Sequence, residues 1–184
     1  MNFLSFKFLI KTVSFKKIVR KKRSSLKTGS LRANRDSSSL MNFICIDKNY
    51  HVSPQIEPLQ ISDIADQGFV KVICNRPDFE VPPSLSSLVM ADLVSEAGIE
   101  FHILELTHDT MTPENILKQR KIFMDASGPV LAYCASGTRC SVIWALGEAM
   151  TGTNINYILE KTSAAGYNLH GLEPTLRQFS EHKG

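Results

Sequence analysis

Cys134 and Arg139 are the two residues whose types and spacing point most directly to chemistry. Cys134 follows a short apolar run, residues 130–133, and four small residues, 135–138, separate it from Arg139. An apolar stretch of helical length then begins at Ser141. The pattern predicts a strand, a loop and a helix in that order, with a cysteine at the end of the strand.

A loop that enters a helix in this way is suited to bind an anion. The first N–H groups of a helix are unpaired, and the helix dipole adds positive partial charge at the same end. Gly137 permits a backbone angle that a side chain would oppose, and Arg139 offers a planar fork of donors to an oxyanion. We therefore predict an anion-binding loop formed by Ala135, Ser136, Gly137 and Thr138.

The positive charge of the helix N-terminus and of Arg139 also favours a thiolate at Cys134. A thiolate is the nucleophilic form of cysteine, and cysteines at helix N-termini beside an arginine ionise at a lower pH than free cysteine. The alternative is that Cys134 is a small hydrophobic residue at the end of a core strand, as many free cysteines are. The neighbouring glycine and arginine favour a catalytic Cys134 with Arg139 as the anion ligand.

The segment 41–184 has the pattern of one α/β domain. Short apolar runs alternate with helical segments, which predicts a central, mainly parallel sheet flanked by helices. The predicted strands are 43–46, 50–53, 69–74, 101–106 and 130–133, and the predicted helices are 62–68, 85–97, 113–126, 155–165, 174–182 and one that starts at 141.

Asp109 is the candidate general acid. Ligands of open α/β sheets bind outside the carboxyl ends of the strands, and three predicted strands deliver Arg76, Asp109 and Cys134 to that edge. A carboxylic acid there can protonate a leaving oxygen. The alternative for Asp109 is a turn residue ahead of the helix cap at Thr112. Arg76 is interpreted as a structural arginine that pairs with a nearby acidic residue or a helix end.

Residues 1–40 differ sharply in charge from the remainder. They hold 11 Lys and Arg residues and one acidic residue, whereas residues 41–184 hold 10 basic and 17 acidic residues. We interpret 1–40 as a disordered or targeting extension, with an organelle leader or a membrane-surface anchor as alternatives, and 41–184 as the catalytic domain. Lysines interrupt the apolar N-terminal stretch before it reaches the roughly 20 residues that a bilayer span needs. An acidic domain also disfavours nucleic acid as a partner.

The four cysteines, Cys45, Cys74, Cys134 and Cys140, lack the paired spacing typical of a zinc site or a disulfide framework. The sequence therefore predicts no metal and no cofactor, and a reducing, cytoplasmic location. Cys140 is a candidate resolving thiol that would form a reversible disulfide with Cys134, and Cys74 competes for that role. The alternative is that both simply pack in the core.

Five stretches of the domain resemble a known family. They are His51-Val52-Ser53-Pro54-Gln55, Asn75-Arg76-Pro77-Asp78-Phe79-Glu80, Gly128-Pro129-Val130-Leu131-Ala132-Tyr133-Cys134, Gly137-Thr138-Arg139 and Ala165-Gly166-Tyr167. Over nearly all of residues 41–179 the chain resembles the phosphatase-like domain of the beta-lactamase hydrolase-like proteins. That family is similar in fold to the cysteine-dependent, dual-specificity-like phosphatases. The resemblance implies Cys134 in a phosphate loop, Arg139 as anion ligand and Asp109 on an acid loop. It also places Ser141 in the anion-binding loop, at the position of the phosphatase serine.

The chain departs from this resemblance in two respects. Phosphatases of this fold usually carry five residues between the cysteine and the arginine, and without a gap Cys140 would take the arginine's place. The four-residue loop resembles that of rhodanese-type sulfurtransferases. In addition, Tyr133 and Ala135 stand where the family commonly has His and Arg. We therefore expect a less depressed pKa for Cys134, near the ordinary value of about 8.5 and not near about 5, and a lower activity.

Three functions follow from these observations. The favoured one is hydrolysis of a phosphoester, as a small anionic or phosphorylated substrate, through a cysteinyl-phosphate intermediate. The first alternative is a rhodanese-like sulfurtransferase that carries a persulfide on Cys134 and has no need of Asp109. The second alternative is a non-catalytic module that binds an anion or a phosphopeptide.

Overall fold

The computed structural model describes residues 43–181, so the predictions for residues 1–42 and 182–184 lie outside the described residues. The strands are β1 (Ile44–Asp47), β2 (Tyr50–Ser53), β3 (Lys71–Cys74), β4 (Glu100–Ile103) and β5 (Val130–Tyr133). The helices are α1 (Ile61–Asp66), α2 (Ser87–Glu96), α3 (Pro113–Met124), α4 (Thr138–Met150), α5 (Ile155–Ala164) and α6 (Glu173–Glu181). None of these helices has the length and hydrophobicity that crossing a bilayer requires.

The strands form one sheet in the order β1-β2-β5-β3-β4. β1 is antiparallel to β2, and the other neighbours are parallel, as expected for strands joined through helices. β5 lies at the centre, and its four residues are buried. Ser53 and Cys74 both pair in register with Tyr133, so the chain leaves β2, β3 and β5 at the same edge. The predicted α/β fold is confirmed.

Two apolar clusters cover the two faces of the sheet. Because side chains alternate along a strand, Val130 and Ala132 of β5 enter one cluster, and Leu131 and Tyr133 enter the other. The first cluster contains residues of α3, α4, α5 and α6, and the second contains residues of α1 and α2. Helices therefore flank both faces, and Cys134 belongs to the first cluster at the carboxyl edge of the sheet.

α4 begins earlier than the sequence analysis predicted. The apolar pattern indicated a start at Ser141, but the helix begins at Thr138, because Gly137 takes the N-cap position with a φ of 86°. Glycine adopts this left-handed backbone without strain. Arg139 and Cys140 consequently belong to the first turn of α4, whose free N–H groups face the end of β5.

The strands predicted at 69–74 and 101–106 are shorter than expected. β3 begins at Lys71 and β4 ends at Ile103. Beyond β4, the N–H groups of Leu104 and Leu106 still donate to the carbonyls of Cys74 and Asn75, at 2.9 and 3.1 Å. The chain thus stays beside the end of β3 before it enters the loop that carries Asp109.

A buried polar network ties α3 and α4 to β2 and to the chain that follows β3 and β4. Gln119 Nε2 of α3 donates to the Tyr50 hydroxyl at 2.7 Å and to Asn75 Oδ1 at 3.0 Å. Tyr50 in turn donates to the Cys140 carbonyl in α4 at 3.0 Å, and Asn75 Nδ2 donates to the Leu104 carbonyl at 2.9 Å. Every member is paired, so the network fixes α3 and α4 relative to the ends of β3 and β4.

Gln119→Leu should lower the free energy of unfolding by about 2–4 kcal/mol, because it removes the amide that donates to the buried Tyr50 hydroxyl oxygen and to the buried Asn75 Oδ1. Urea denaturation monitored by Trp144 fluorescence measures this. The matched control, Gln67→Leu at an exposed position, should change stability by less than about 0.5 kcal/mol. A loss for Gln119→Leu that is no larger than the control would contradict the network's role.

Candidate active site

Cys134 lies directly after β5 and is 1% exposed. Its backbone N–H donates to the carbonyl of Ser53 at the end of β2, at 3.4 Å. The Gly137 N–H donates to Cys134 Sγ at 3.1 Å, so the loop closes around the sulfur. The structure therefore brings Cys134, Gly137 and the first turn of α4 together.

The outer side of this loop faces solvent. Ala135, Ser136 and Thr138 are exposed, whereas Gly137 is buried. Ser136 Oγ lies 3.0 Å from Thr138 Oγ1 and accepts from the Thr138 N–H at 3.4 Å. The solvent-facing side of the loop therefore carries only small side chains.

The environment of Cys134 lowers its pKa to about 5. The largest cause is a hydrogen bond from the Cys140 thiol, and the backbone N–H groups of Ser136, Cys140 and Arg139 contribute further, while burial acts in the opposite direction. At neutral pH the sulfur is therefore a thiolate. The expectation of a pKa near 8.5 is wrong. That expectation rested on Tyr133 and Ala135, which replace the charged residues common in the family. The thiolate is stabilised instead by the Cys140 thiol and the loop amides.

Cys140 is fully buried in the first turn of α4. Burial raises its pKa well above the usual range, and the hydrogen bond to Cys134 adds to this effect. Cys140 therefore stays protonated and can donate to the Cys134 thiolate. Cys74 instead donates to the Arg76 carbonyl at 3.4 Å. Cys140 is thus in contact with Cys134, and its role as a resolving thiol stays a prediction.

A carboxylate that the sequence analysis did not assign to the site holds Arg139. Arg139 Nη1 and Nη2 donate to Oε1 and Oε2 of Glu80 at 2.8 and 2.6 Å, and Nη1 also donates to the Leu106 carbonyl at 2.8 Å. These bonds use three of the five N–H donors of a guanidinium. The Nε–H and one Nη2–H are left for the Cys134 sulfur or an anion. The bidentate pair fixes the plane of the guanidinium.

Glu80 is carried by the loop that follows β3. Asp78 anchors this loop by accepting from the Ser87 N–H and hydroxyl at the start of α2, at 2.6 and 3.0 Å. Arg76 donates to the Glu80 carbonyl at 2.9 Å, and so has the structural role that the sequence favoured. The sequence could have indicated Glu80 through its position in the chain. It lies in the loop after β3, and because β3 runs parallel to β5, this loop emerges at the sheet edge where Arg139 lies.

Glu80→Gln should destabilise the fold in a pH-dependent way. A hydrogen bond from Arg139 lowers the pKa of Glu80 below its ordinary value of 4.5. Because the folded state has the lower pKa, this stabilisation is present above that ordinary value and is lost as the pH falls through the lowered one. Urea denaturation should find the variant less stable than the parent at pH 7.

The difference in the free energy of unfolding between Glu80→Gln and the parent should then narrow as the pH falls below the ordinary value of 4.5 and through the lowered pKa of Glu80. Glu173→Gln serves as the control, since Glu173 pairs with Arg177 at the surface of α6. If variant and parent are equally stable at neutral pH, or if their difference in stability is the same at acidic pH, the role given to Glu80 is refuted.

Tyr167 covers the loop from the end of α5. Its N–H donates to the Thr162 carbonyl at 2.8 Å, in a turn that Gly166 closes with a φ of 88°. Its hydroxyl donates to the Ser136 carbonyl at 3.2 Å. A Cβ at Gly137 would collide with this hydroxyl. Residue 137 is therefore restricted to glycine by space as well as by backbone angle.

Asp109 and Ser141 have other surroundings than the sequence analysis expected. The Asp109 side chain is 97% exposed, and its neighbour His108 lies 3.6 Å away, Nδ1 to Oδ1. Among residues 43–181, no hydrogen bond or ion pair joins Asp109 to the Cys134 loop. Ser141 is buried and donates to the Gly137 carbonyl at 2.9 Å, so it braces the loop from within. Contacts of Asp109 or Ser141 with an anion stay predictions.

Comparison with known sequences decides the family. Residues 42–151 match the family described as the phosphatase-like domain of beta-lactamase hydrolase-like protein. The chain belongs to this family. The beta-lactamase hydrolase-like proteins of Agrobacterium fabrum and Xylella fastidiosa are 28% and 25% identical to it over 112 residues. Each match covers 61% of this chain and 26% of the relative. The phosphatase-like domain thus spans about a quarter of these curated relatives, and the resemblance inferred from the sequence is confirmed.

Solved structures agree with this assignment. A phosphatase candidate from Neisseria meningitidis superposes with a TM-score of 0.65 and 30% identity, over 74% of this chain and 97% of that chain. Tk-PTP gives a TM-score of 0.58 at 17% identity, over 76% and 96% of the two chains. The catalytic domain of a PP-IP phosphatase from S. cerevisiae gives 0.56 at 14% identity, over 76% and 83%. The last two show the fold alone. The phosphatase-like domain has a protein-tyrosine-phosphatase-like fold, and its family is of phosphatase type.

Proposed function

We propose that the phosphatase-like domain, residues 41–184, hydrolyses a phosphoester through a cysteinyl-phosphate intermediate on Cys134. The observation that carries this proposal is the lowered Cys134 pKa, about 5, in a loop where the Gly137 N–H and the charge of Arg139 act on the same sulfur. Amides and a guanidinium that stabilise a thiolate are also suited to hold the oxygens of a phosphoryl group. Residues 1–40 have no part in this proposed chemistry.

In the first step the Cys134 thiolate attacks phosphorus in line with the leaving oxygen. The S–P bond forms as the ester O–P bond breaks. The negatively charged oxygens of the phosphoryl group accept hydrogen bonds from the loop amides and from Arg139. The pair between Arg139 and Glu80 keeps the guanidinium plane fixed during this change. The protein thereby contributes positioning and preorganised charge more than covalent chemistry.

In the second step water attacks the phosphorus of the cysteinyl-phosphate. The S–P bond breaks, the thiolate returns and inorganic phosphate leaves. A thiolate with a low pKa is a good leaving group, so the hydrogen bonds from Cys140 and the loop amides assist this step as well.

Asp109 is the proposed proton donor to the leaving oxygen, and its carboxylate then takes the proton from the attacking water. Its loop lies at the edge where Leu106 accepts from Arg139. Because its side chain is directed to solvent, the proposal requires the loop to close over bound substrate.

Asp109→Asn should slow hydrolysis of phenyl phosphate roughly 10²-fold, because an amide cannot transfer the proton. Hydrolysis of an aryl phosphate with a more acidic phenol needs less proton transfer. The variant should therefore lose less activity on that substrate. Asp125→Asn, at an exposed pair with Lys121, is the control. Equal losses with both leaving groups would argue against Asp109 as the acid.

A sulfurtransferase is the second candidate, and the four-residue loop between Cys134 and Arg139 favours it. Cys134 would attack the sulfane sulfur of thiosulfate, release sulfite, and pass the persulfide sulfur to a thiol acceptor. This reaction needs no general acid, so Asp109→Asn should leave it nearly intact. A non-catalytic module would instead bind phosphate or vanadate without turnover of either substrate.

Side-by-side turnover of an aryl phosphate and of thiosulfate by the full chain tests the proposal. We expect phosphate release that depends on Cys134 and slower or absent sulfite release. Sulfite release without phosphate release would replace the phosphatase by the sulfurtransferase, and turnover of neither with retained anion binding would favour the binding module.

A further inference from the structure

One peptide group links Tyr167 to Cys134. The Tyr167 hydroxyl donates to the Ser136 carbonyl at 3.2 Å, and the N–H of the same peptide, which belongs to Gly137, donates to Cys134 Sγ at 3.1 Å. The C=O and N–H of a trans peptide are coplanar and point in opposite directions. The peptide is therefore held from both sides, and a rotation that releases Tyr167 also turns the N–H away from the sulfur.

The backbone at Gly137 does not fix this peptide by itself. Glycine has access to a wide range of angles on both sides of φ = 0, and Gly137 sits at a φ of 86°. Ser141 holds the next peptide along, since its N–H and hydroxyl donate to the Gly137 carbonyl at 3.0 and 2.9 Å. The Ser136 carbonyl instead accepts from the hydroxyl of Tyr167, which follows α5.

We propose that Tyr167 is a positioning residue for Cys134, whose hydroxyl holds the Ser136–Gly137 peptide in the orientation in which the Gly137 N–H stabilises the thiolate. The proposal rests on the proposed function only in taking Cys134 as the nucleophile. Tyr167 is suited to this role because its backbone is tied to Thr162 and its ring packs against the first apolar cluster. Burial raises the pKa of Tyr167, so the hydroxyl keeps the proton that it donates.

The experiment compares Tyr167→Phe with Tyr157→Phe in the full chain. Tyr157 is the matched control, because its hydroxyl donates to Asp47 at the surface, at 3.4 Å. The pKa of Cys134 is read from the pH dependence of its alkylation by iodoacetamide, with peptide mapping by mass spectrometry to separate it from the other cysteines. Tyr167→Phe should raise this pKa by roughly half a unit to one unit, and Tyr157→Phe should leave it unchanged.

A third variant, Tyr167→Leu, separates the hydroxyl from the ring. It should give the same shift in the Cys134 pKa as Tyr167→Phe, with a larger loss of melting temperature. An unchanged pKa in folded Tyr167→Phe, or a shift seen only in Tyr167→Leu, would overturn the proposal. Alkylation needs no turnover. A raised pKa in a protein that hydrolyses no phosphoester would therefore support the positioning role and count against the proposed function alone.

Discussion

Cys134→Ser lowers kcat for an aryl phosphate by about 10⁴-fold or more in the mechanism proposed for the phosphatase-like domain. At pH 7 a thiol with a pKa of about 5 is fully ionised, whereas a serine hydroxyl at the same place keeps its proton. The loop amides and Arg139 are unchanged in this variant. The affinity for inorganic phosphate should therefore stay within a few-fold of the parent while turnover is lost.

Steady-state kinetics and calorimetric titration with phosphate measure the two effects separately. Cys45→Ser is the matched control, because Cys45 is exposed on β1, and it should keep the activity of the parent. Turnover by Cys134→Ser comparable with that of Cys45→Ser would refute covalent catalysis by Cys134.

Arg139→Lys should lower kcat/KM for the same substrate by about 10³-fold. Lysine keeps the positive charge but cannot pair with both oxygens of Glu80 and also offer two directed N–H groups to an anion. The loss should appear mainly in kcat, because the charge on the phosphoryl oxygens is redistributed in the transition state. Phosphate affinity, which depends on charge as well as geometry, should fall less.

The control for Arg139→Lys is Arg177→Lys, since Arg177 makes an exposed pair with Glu173 in α6. Melting curves of both variants show whether the fold is intact. A small loss of kcat/KM in folded Arg139→Lys, similar to that of the control, would show that bidentate geometry at Arg139 is not needed.

The sequence predicted the parts of the site that are local in the chain. Cys134, Gly137 and Arg139 lie within six residues, so strand, turn and helix signals were sufficient to bring them together. The same signals misjudged the start of α4, because apolar periodicity marks the buried face of a helix and is silent about a polar first turn. The α/β fold followed from the alternation of strands and helices.

The remaining parts of the site depend on contacts distant in sequence. Glu80 reaches Arg139 across 59 residues, and Tyr167 reaches Ser136 across 31. No periodicity links such positions, although the parallel neighbours β3 and β5 determine the edge at which Glu80 emerges. The pKa of Cys134 was misjudged for a different reason, because the groups that lower it, in Ser136, Arg139 and Cys140, are close to it in sequence. Its value depends on the orientation of loop amides and of Cys140, which only the folded backbone determines.

Rapid acid quench of the full chain during turnover of an aryl phosphate, followed by peptide mapping, tests the central claim most directly. The account predicts a phosphoryl group on the Cys134 peptide, formed in a burst with the released phenol and lost again as inorganic phosphate appears. A burst of phenol with the phosphoryl group on another residue, or steady turnover with no phosphoryl group on Cys134, would contradict it.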